Sequence, residues 1–342
     1  MSAPAGVQSN LEARAQENAR PWLRGRDPRL TLARADLAAR WLEGQVDAAH
    51  FVDPEPMVIT VPRAGLRPRP DPAARLDSEL LFGERVHCVE ATAAWLWVQN
   101  ESDGYVGYIP AASATAAPAD APAIAEPSHQ VAIRAALLLP EPDIKAEAIR
   151  LPWPATVAVV DTLPGRGTRG LFAELATGGF VPMAQLMPLA ARQARDWVAD
   201  AEALLGTPYL WGGRSGDGLD CSALVQLALA VSGHAVPRDS DMQAALADQP
   251  GVARLVSDAP LIRGDLVFWR GHVGIMQDAT RLLHANAHHM AVASEPLAVA
   301  RARIAAAFTA ENASTGAAGT GEGEILSILR LNHVTIEGNS MD

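Results

Sequence analysis

The chain is 342 residues long, 49% apolar and 20% charged, with 28 basic against 39 acidic side chains and a net charge of −11. This ordinary globular composition excludes a disordered or collagen-like chain, and the acidic balance argues against nucleic acid, anionic lipid or anionic wall polymers as partners. Two cysteines, Cys88 and Cys221, are too few for a disulfide framework or a four-cysteine zinc site, and no window reaches the roughly 18 apolar residues of a membrane helix.

Residues 1–55 begin with a polar stretch lacking the apolar core of a signal peptide, so a cytoplasmic protein is expected. Within RLTLARADLAARWLEGQV, the residues Leu30, Leu32, Ala33, Leu37, Ala38, Trp41 and Leu42 recur at helical spacing and predict one or two helices. Residues 56–114 lose that period. Short runs (MVITV, RVHCVEA, AWLWVQN, GYVGYIP) separated by Pro, Gly and Asp predict a small β-barrel. Residues 111–127 are Ala/Pro-rich and read as a semi-extended linker. Residues 128–190 return to strands and turns, and GYVGYIPAASA and GGFVPMAQLMP are expected to be equivalent closing strands of two barrels.

From residue 191 to 332 the pattern changes. ARQARDWVADAEALLG reads as an amphipathic helix ended by Gly206, and a second helix starts near Asp220. The runs DLVFW, HVGIM, RLLHANA and MAVASE then read as strands, which makes this an α+β domain. TAENASTGAAGTGEGE is flexible in composition, EILSILRL is expected to return as a further strand, and the last ten residues are expected to fray.

The chemistry concentrates in that last region. Asp220 is a good N-cap, which places Cys221 in the first helical turn, where free N–H groups and the macrodipole favour thiolate. Cys88, inside a strand, has no such setting. His272 and His284 fall in two runs joined by the turn-like Gln277-Asp278-Ala279-Thr280. A hairpin centred on residue 278 sets the two imidazoles nearly opposite each other on one face. One ring then takes the thiol proton and the other orients it. A zinc site of Cys221, His272 and His284 is the alternative, disfavoured because short ligand spacing and an accompanying carboxylate are missing. His288 and His289 follow in a turn, and the other five histidines lack motif context.

Five ordered motifs carry a resemblance: Tyr209-Leu210-Trp211-Gly212-Gly213, Asp220-Cys221-Ser222-Ala223-Leu224-Val225, Gly264-Asp265-Leu266-Val267-Phe268-Trp269, His272-Val273-Gly274-Ile275 and Leu283-His284-Ala285. Over roughly residues 195–330 the chain resembles the NlpC/p60 cysteine peptidases, papain-like enzymes that cut peptidoglycan stem peptides. The resemblance implies Cys221 as nucleophile, His272 as base and His284 as orienting residue, with no metal or organic cofactor. It also implies oxyanion support from the Cys221 N–H and Tyr209. Ala223 stands where many members have glycine.

Upstream, Leu66-Arg67-Pro68, Ser78-Glu79-Leu80-Leu81-Phe82-Gly83-Glu84, Trp97-Val98 and Asp103-Gly104-Tyr105-Val106-Gly107-Tyr108 resemble the first bacterial SH3-like domain of a particular subgroup. These are the γ-D-glutamyl-L-diamino acid endopeptidases, with two such domains ahead of the catalytic one. The implied substrate is a small free murein peptide whose N-terminal L-alanine amine is held by Asp220, Glu84 and Tyr105. Ser222 and Ser240 would line the subsite, and Arg238 would face a substrate carboxylate or form a structural ion pair. Glu79 is the alternative to Glu84, and the diamino acid is either meso-diaminopimelate or L-lysine. Hydrolysis of intact wall, or an amidase or acyltransferase reaction on the same nucleophile, are the other readings.

Overall fold

The structure, a computed structural model, describes residues 20–116, 126–194, 196–249, 252–256, 259–315 and 323–332. Residues 1–19, most of the Ala/Pro linker, most of the glycine-rich tail and the last ten residues lie outside the described residues.

The N-terminal segment departs from its periodicity. Residues 20–55 contain no α-helix: short 3-10 turns at Pro21–Leu23 and Arg40–Leu42 accompany a parallel pair, Leu37–Ala39 beside His50–Val52. The apolar residues are buried nonetheless. Leu32, Ala33, Ala38, Ala39 and Leu42 pack against Trp97 of the next unit, and the Arg34 guanidinium lies 4.3 Å from the centre of the Trp97 ring. A helix of this length is marginal by itself, so contacts across the chain decide its conformation.

The next unit is an antiparallel five-stranded sheet. Glu55–Ile59 pairs with Arg85–Ala91 and Ala114–Ala116, and Trp95–Asn100 and Val106–Pro110 extend the sheet beyond Arg85–Ala91. The hairpin of Arg63–Leu66 and Ser78–Leu81 packs beside it over Ile59, Val86, Val98 and Ile109. Between residues 129 and 188 lie three smaller sheets. The two units close alike. Val106–Pro110, a 3-10 turn at Ala111–Ser113 and Ala114–Ala116 correspond to Phe180–Pro182, a turn at Met183–Gln185 and Leu186–Pro188. In each case a proline, Pro110 or Pro182, caps the turn, because its fixed φ and missing N–H end the ladder there.

The C-terminal region is α+β. The expected first helix is shorter than its period suggests: a 3-10 segment, Leu189–Ala194, precedes α1 (Trp197–Glu202), whose start is capped by the Asp196 carboxylate. Then come α2 (Cys221–Val231) and α3 (Ser240–Ala244). An antiparallel sheet follows, made of β1 (Ala253–Leu255), β2 (Leu266–Trp269), β3 (His272–Met276), β4 (Arg281–Asn286), β5 (Ala291–Pro296) and β6 (Ser327–Leu331). Its spatial order is β1-β6-β2-β3-β4-β5, so EILSILRL returns as an inserted strand. Helix α4 (Leu297–Thr315) extends into residues whose composition reads as flexible.

Helix α2 packs Leu224 and Leu227 on the sheet face carrying Phe268, Val273, Ile275 and Leu283, and Val131, Leu151 and Val181 of the second β unit join this core. The opposite face, with Val267, Trp269, Met276 and Leu282, is covered by Ala300 of α4. No helix among the described residues is long and apolar enough to cross a membrane.

Candidate active site

Asp220 has extended backbone geometry and its carboxylate accepts the Ala223 N–H at 2.9 Å, so α2 begins at Cys221 as expected. The thiol is 7% exposed. Burial and the neighbouring Asp220 carboxylate push its pKa up to about 12, against the opposing pull of the Val273 N–H, Arg238 and the Ser222 N–H. Desolvation of the anion thus opposes the preference for thiolate expected at the helix start.

Val273, whose N–H meets the Cys221 sulfur, directly follows His272, the first residue of β3. His272 Nε2 lies 2.8 Å from His284 Nδ1. The two rings share the face crossed by α4, but not in the expected register. Ile275 pairs with Leu283 and Met276 with Leu282, so the hairpin is centred on residue 279 and His272 lies diagonal to His284. The cause is local. Gln277 donates to the Arg281 carbonyl, and the Asp278 carboxylate accepts from the Thr280 and Arg281 N–H groups, which builds a longer turn. Extending the register puts Gly274 level with His284. A Cβ at residue 274 would stand 2.7 Å from the Leu282 side chain, so the glycine of HVGI keeps this face open.

The chain of contacts continues past His284, which is fully buried. Its Nε2 is 2.8 Å from Glu295 Oε1 on β5, and the same oxygen accepts from Arg303 of α4. Burial, His284 and Arg303 push the His272 pKa down to about 3. Burial, helped by Arg303 and His289, takes His284 down to about 4 against the raising effect of Glu295. Burial favours the acid form of Glu295, but Arg303 and His284 hold the carboxyl below its ordinary range. Glu295 and Arg303 escaped the sequence reading. A signal existed, since residues 293 and 284 pair in the β4–β5 ladder and Glu295 shares the His284 face, but that register requires the fold.

Both imidazoles are held neutral, and this has a consequence for stability. Unfolded histidines titrate near pH 6.5, so between that pH and about 4 the unfolded chain binds protons that the folded site refuses, and stability falls as pH drops. Between pH 7 and 5 the loss is about 2 kcal/mol per histidine. Urea midpoints at the two pH values should therefore separate more for the wild type than for a His272→Asn/His284→Asn double variant. Equal separations would show that these rings titrate normally in the fold.

Among the described residues, His284, His289 and Glu295 bring ligand atoms within 4.8 Å of one another. The Arg303 guanidinium on the same carboxylate opposes a cation there.

The expected binding residues divide into two groups. Asp220 pairs bidentately with the buried Arg238, at 2.9 and 2.7 Å, and also accepts from the Gly212 N–H and the Ser222 hydroxyl. Arg238 is thus a structural ion-pair partner that also donates to Ser222 and to Ser78 of the first β unit. Tyr105 reaches in from that unit, its hydroxyl donating to Asp239 at 3.0 Å, and Ser240 follows at the start of α3. Tyr209 stands close to Cys221 and Asp220, and burial, the largest cause, raises its phenol. Gly212 in this loop has φ +74° and packs on the Leu76 carbonyl, where a Cβ would stand at 2.7 Å.

Glu84 does not join them. It is held by Arg214 at 2.8 and 2.9 Å and accepts the Leu81 N–H, so it is already neutralised. Glu79 is placed differently. It is 7% exposed, accepts the Arg214 N–H at 2.9 Å, and has Arg63 only at 3.9 Å. Burial raises its carboxyl against the lowering effect of Arg63, Arg238 and Arg214. Around Arg238 stand Asp220, Asp239 and Glu79, the last also within the field of Arg63 and Arg214, while Arg29 is shared among Asp27, Asp239 and Asp241. Carboxyl groups outnumber guanidinium groups in this cluster.

Residues 206–304 match the NlpC/P60 family, and residues 66–113 match the bacterial dipeptidyl-peptidase Sh3 domain. Dipeptidyl-peptidase 6 of Lysinibacillus sphaericus is 29% identical over 249 residues, which is 67% of this chain and 87% of the relative. The γ-D-glutamyl-L-lysine dipeptidyl-peptidase of Bacillus cereus is 27% identical over 234 residues, 64% of this chain and 65% of the relative. An NlpC/P60 family protein of known structure from Bacillus cereus ATCC 10987 superposes with a TM-score of 0.62 at 20% identity, covering 80% of this chain and 98% of that one, so the two share a fold.

Proposed function

We propose that this chain, which carries an NlpC/P60 domain and a bacterial SH3 domain, is a cysteine peptidase that hydrolyses the γ-D-glutamyl–diamino acid bond of free murein peptides with an unblocked N-terminal L-alanine. The observation that carries the substrate class is the surplus of carboxylates around Arg238, contributed by both domains and adjoining Cys221 through Asp220. A substrate ammonium compensates that charge; an acylated amine brings neither charge nor donors. Within this reading Glu79, not Glu84, takes the amine together with Asp220 and Tyr105, and Ser222 and Ser240 line the subsite.

His272 removes the Cys221 proton as the sulfur attacks the γ-glutamyl carbonyl. The tetrahedral oxyanion is met by the Cys221 N–H at the start of α2 and by Tyr209. His272 then protonates the leaving amine of the diamino acid, and water releases the acyl-enzyme. The strand–proline–turn–strand closure repeated at residues 180–188 supports reading the second β unit as a second SH3-like domain. The net charge of −11 supports small peptides over an anionic wall polymer, and with them a role in murein peptide recycling.

The test is a digest of L-Ala-γ-D-Glu-diaminopimelate, its L-lysine counterpart, their N-acetylated forms and whole sacculi, read by mass spectrometry. Cleavage of a free-amine peptide at the γ-glutamyl bond, with acetylated peptides and sacculi at least about 30-fold poorer, is expected; that ratio corresponds to 2 kcal/mol. Efficient release of peptides from sacculi would replace recycling with wall remodelling.

A further inference from the structure

The contacts beyond His284 determine which nitrogen of each imidazole carries its proton. We propose that Glu295, held by Arg303, is a positioning residue that fixes the tautomers of both catalytic-site histidines and so leaves His272 Nδ1 as the proton acceptor for Cys221. This rests on the cysteine-peptidase reading above and extends it by two residues outside the Cys-His-His set.

The proton positions follow inward from the salt bridge. Arg303 has no acceptor atom and donates to Glu295 Oε1, and a carboxylate in that pairing is ionised and only accepts. His284 Nε2, 2.8 Å from the same Oε1, must therefore carry the hydrogen. His284 is fully buried and neutral, so its Nδ1 has only a lone pair to offer. Across the 2.8 Å contact, His272 Nε2 must then be the donor. In a neutral His272 the remaining nitrogen, Nδ1, is left with the free lone pair. When it takes the thiol proton, the positive ring still donates Nε2–H to His284, and no bond in the chain has to reverse.

The neighbours agree with this order. His289 lies 6.4 Å from His284, ring centre to ring centre, and its Nδ1 is engaged with Asn286. Gly274 and the Leu282 side chain bring no polar side-chain atom beside the ring, and Glu295 Oε1 is the partner that Nε2 meets. Without it, the Nδ1–H form of His284 becomes accessible. That form points a hydrogen at His272 Nε2 and drives His272 into the tautomer that cannot accept from sulfur.

The experiment has two arms. In the wild-type full chain labelled with 15N-histidine, NMR should show His284 as the Nε2–H tautomer and His272 likewise, at pH 7 and without substrate. Finding His284 as Nδ1–H overturns the proposal whatever the substrate proves to be. In kinetics, Glu295→Ala should lower kcat about 10- to 100-fold, the range typical of removing a partner that orients an imidazole, with KM within about twofold. Glu295→Gln should recover most of the loss, since Arg303 and His284 converge on one oxygen and hold the amide with its carbonyl toward Nε2. Adding Arg303→Ala to that variant should remove the recovery. An unchanged kcat in Glu295→Ala, or no recovery in a folded Glu295→Gln protein, would overturn the role. A chain that cleaves no murein peptide but shows the expected tautomers would overturn only the substrate reading.

Discussion

Cys221→Ser is expected to reduce hydrolysis of the free-amine peptide by at least about 10⁴-fold while leaving the fold intact, in line with the loss on removing a catalytic nucleophile elsewhere. The change is nearly isosteric, and the cap of α2 runs through Asp220 to the Ala223 and Gly212 N–H groups without using the sulfur. The effect is large because the site has no spare driving force. Burial and Asp220 already raise the thiol to about 12, while His272 is a weak base in its buried setting, so proton transfer is feasible only as the sulfur bonds to carbon. A serine hydroxyl, far less acidic, moves further out of reach. The measurement is initial rate by mass spectrometry beside a thermal melt. Activity within tenfold of wild type at an unchanged Tm would remove the cysteine-peptidase reading.

Glu79→Gln is the second large effect, and its contrast with Glu84→Gln separates recognition from architecture. Losing one partner of a buried charge costs about 2–5 kcal/mol, or roughly 30-fold to several thousand-fold in kcat/KM. For Glu79 the partner lost is the substrate ammonium, so kcat/KM for the free-amine peptide should fall by that factor and preference over the N-acetylated form should collapse. Stability should hold or rise, since burial already disfavours the Glu79 charge. For Glu84 the partner lost is the buried Arg214, which would keep only the more distant charges of Asp103 and Glu79, so Glu84→Gln should lower stability by about 3 kcal/mol. Tyr105→Phe removes one neutral donor to Asp239 and should weaken selectivity by a smaller factor. A Glu79→Gln enzyme with unchanged preference would mean that the first β unit does not build the amine subsite.

Much of the site was legible before any coordinates. Asp220 followed by a small-residue and aliphatic run announces an N-capped buried helix, and that cap puts Cys221 at a helix start by local rules alone. Alternation in HVGIM and RLLHANA places His272 and His284 on one sheet face with an error of two residues in register, because facing depends on parity while register depends on turn length. The likeness of GYVGYIPAASA and GGFVPMAQLMP also anticipated the strand–turn–strand closure that both segments form.

Four outcomes needed the tertiary structure. The N-terminal periodicity gave no helix, since Trp97 and Arg34 hold the segment in another conformation. How deeply the Cys221 thiol is desolvated is not revealed by its helix position. Glu79 and Glu84 are five residues apart in one motif with equal claims as residue types; only the fold shows that Glu84 is paired with Arg214, 130 positions away. Glu295 and Arg303 enter through a strand register and a covering helix. The sequence by itself determined what depends on neighbours along the chain: the cap that places Cys221 at a helix start and the facing of the two histidines. Charge pairing and desolvation depend on neighbours in space, and only the folded chain decided those.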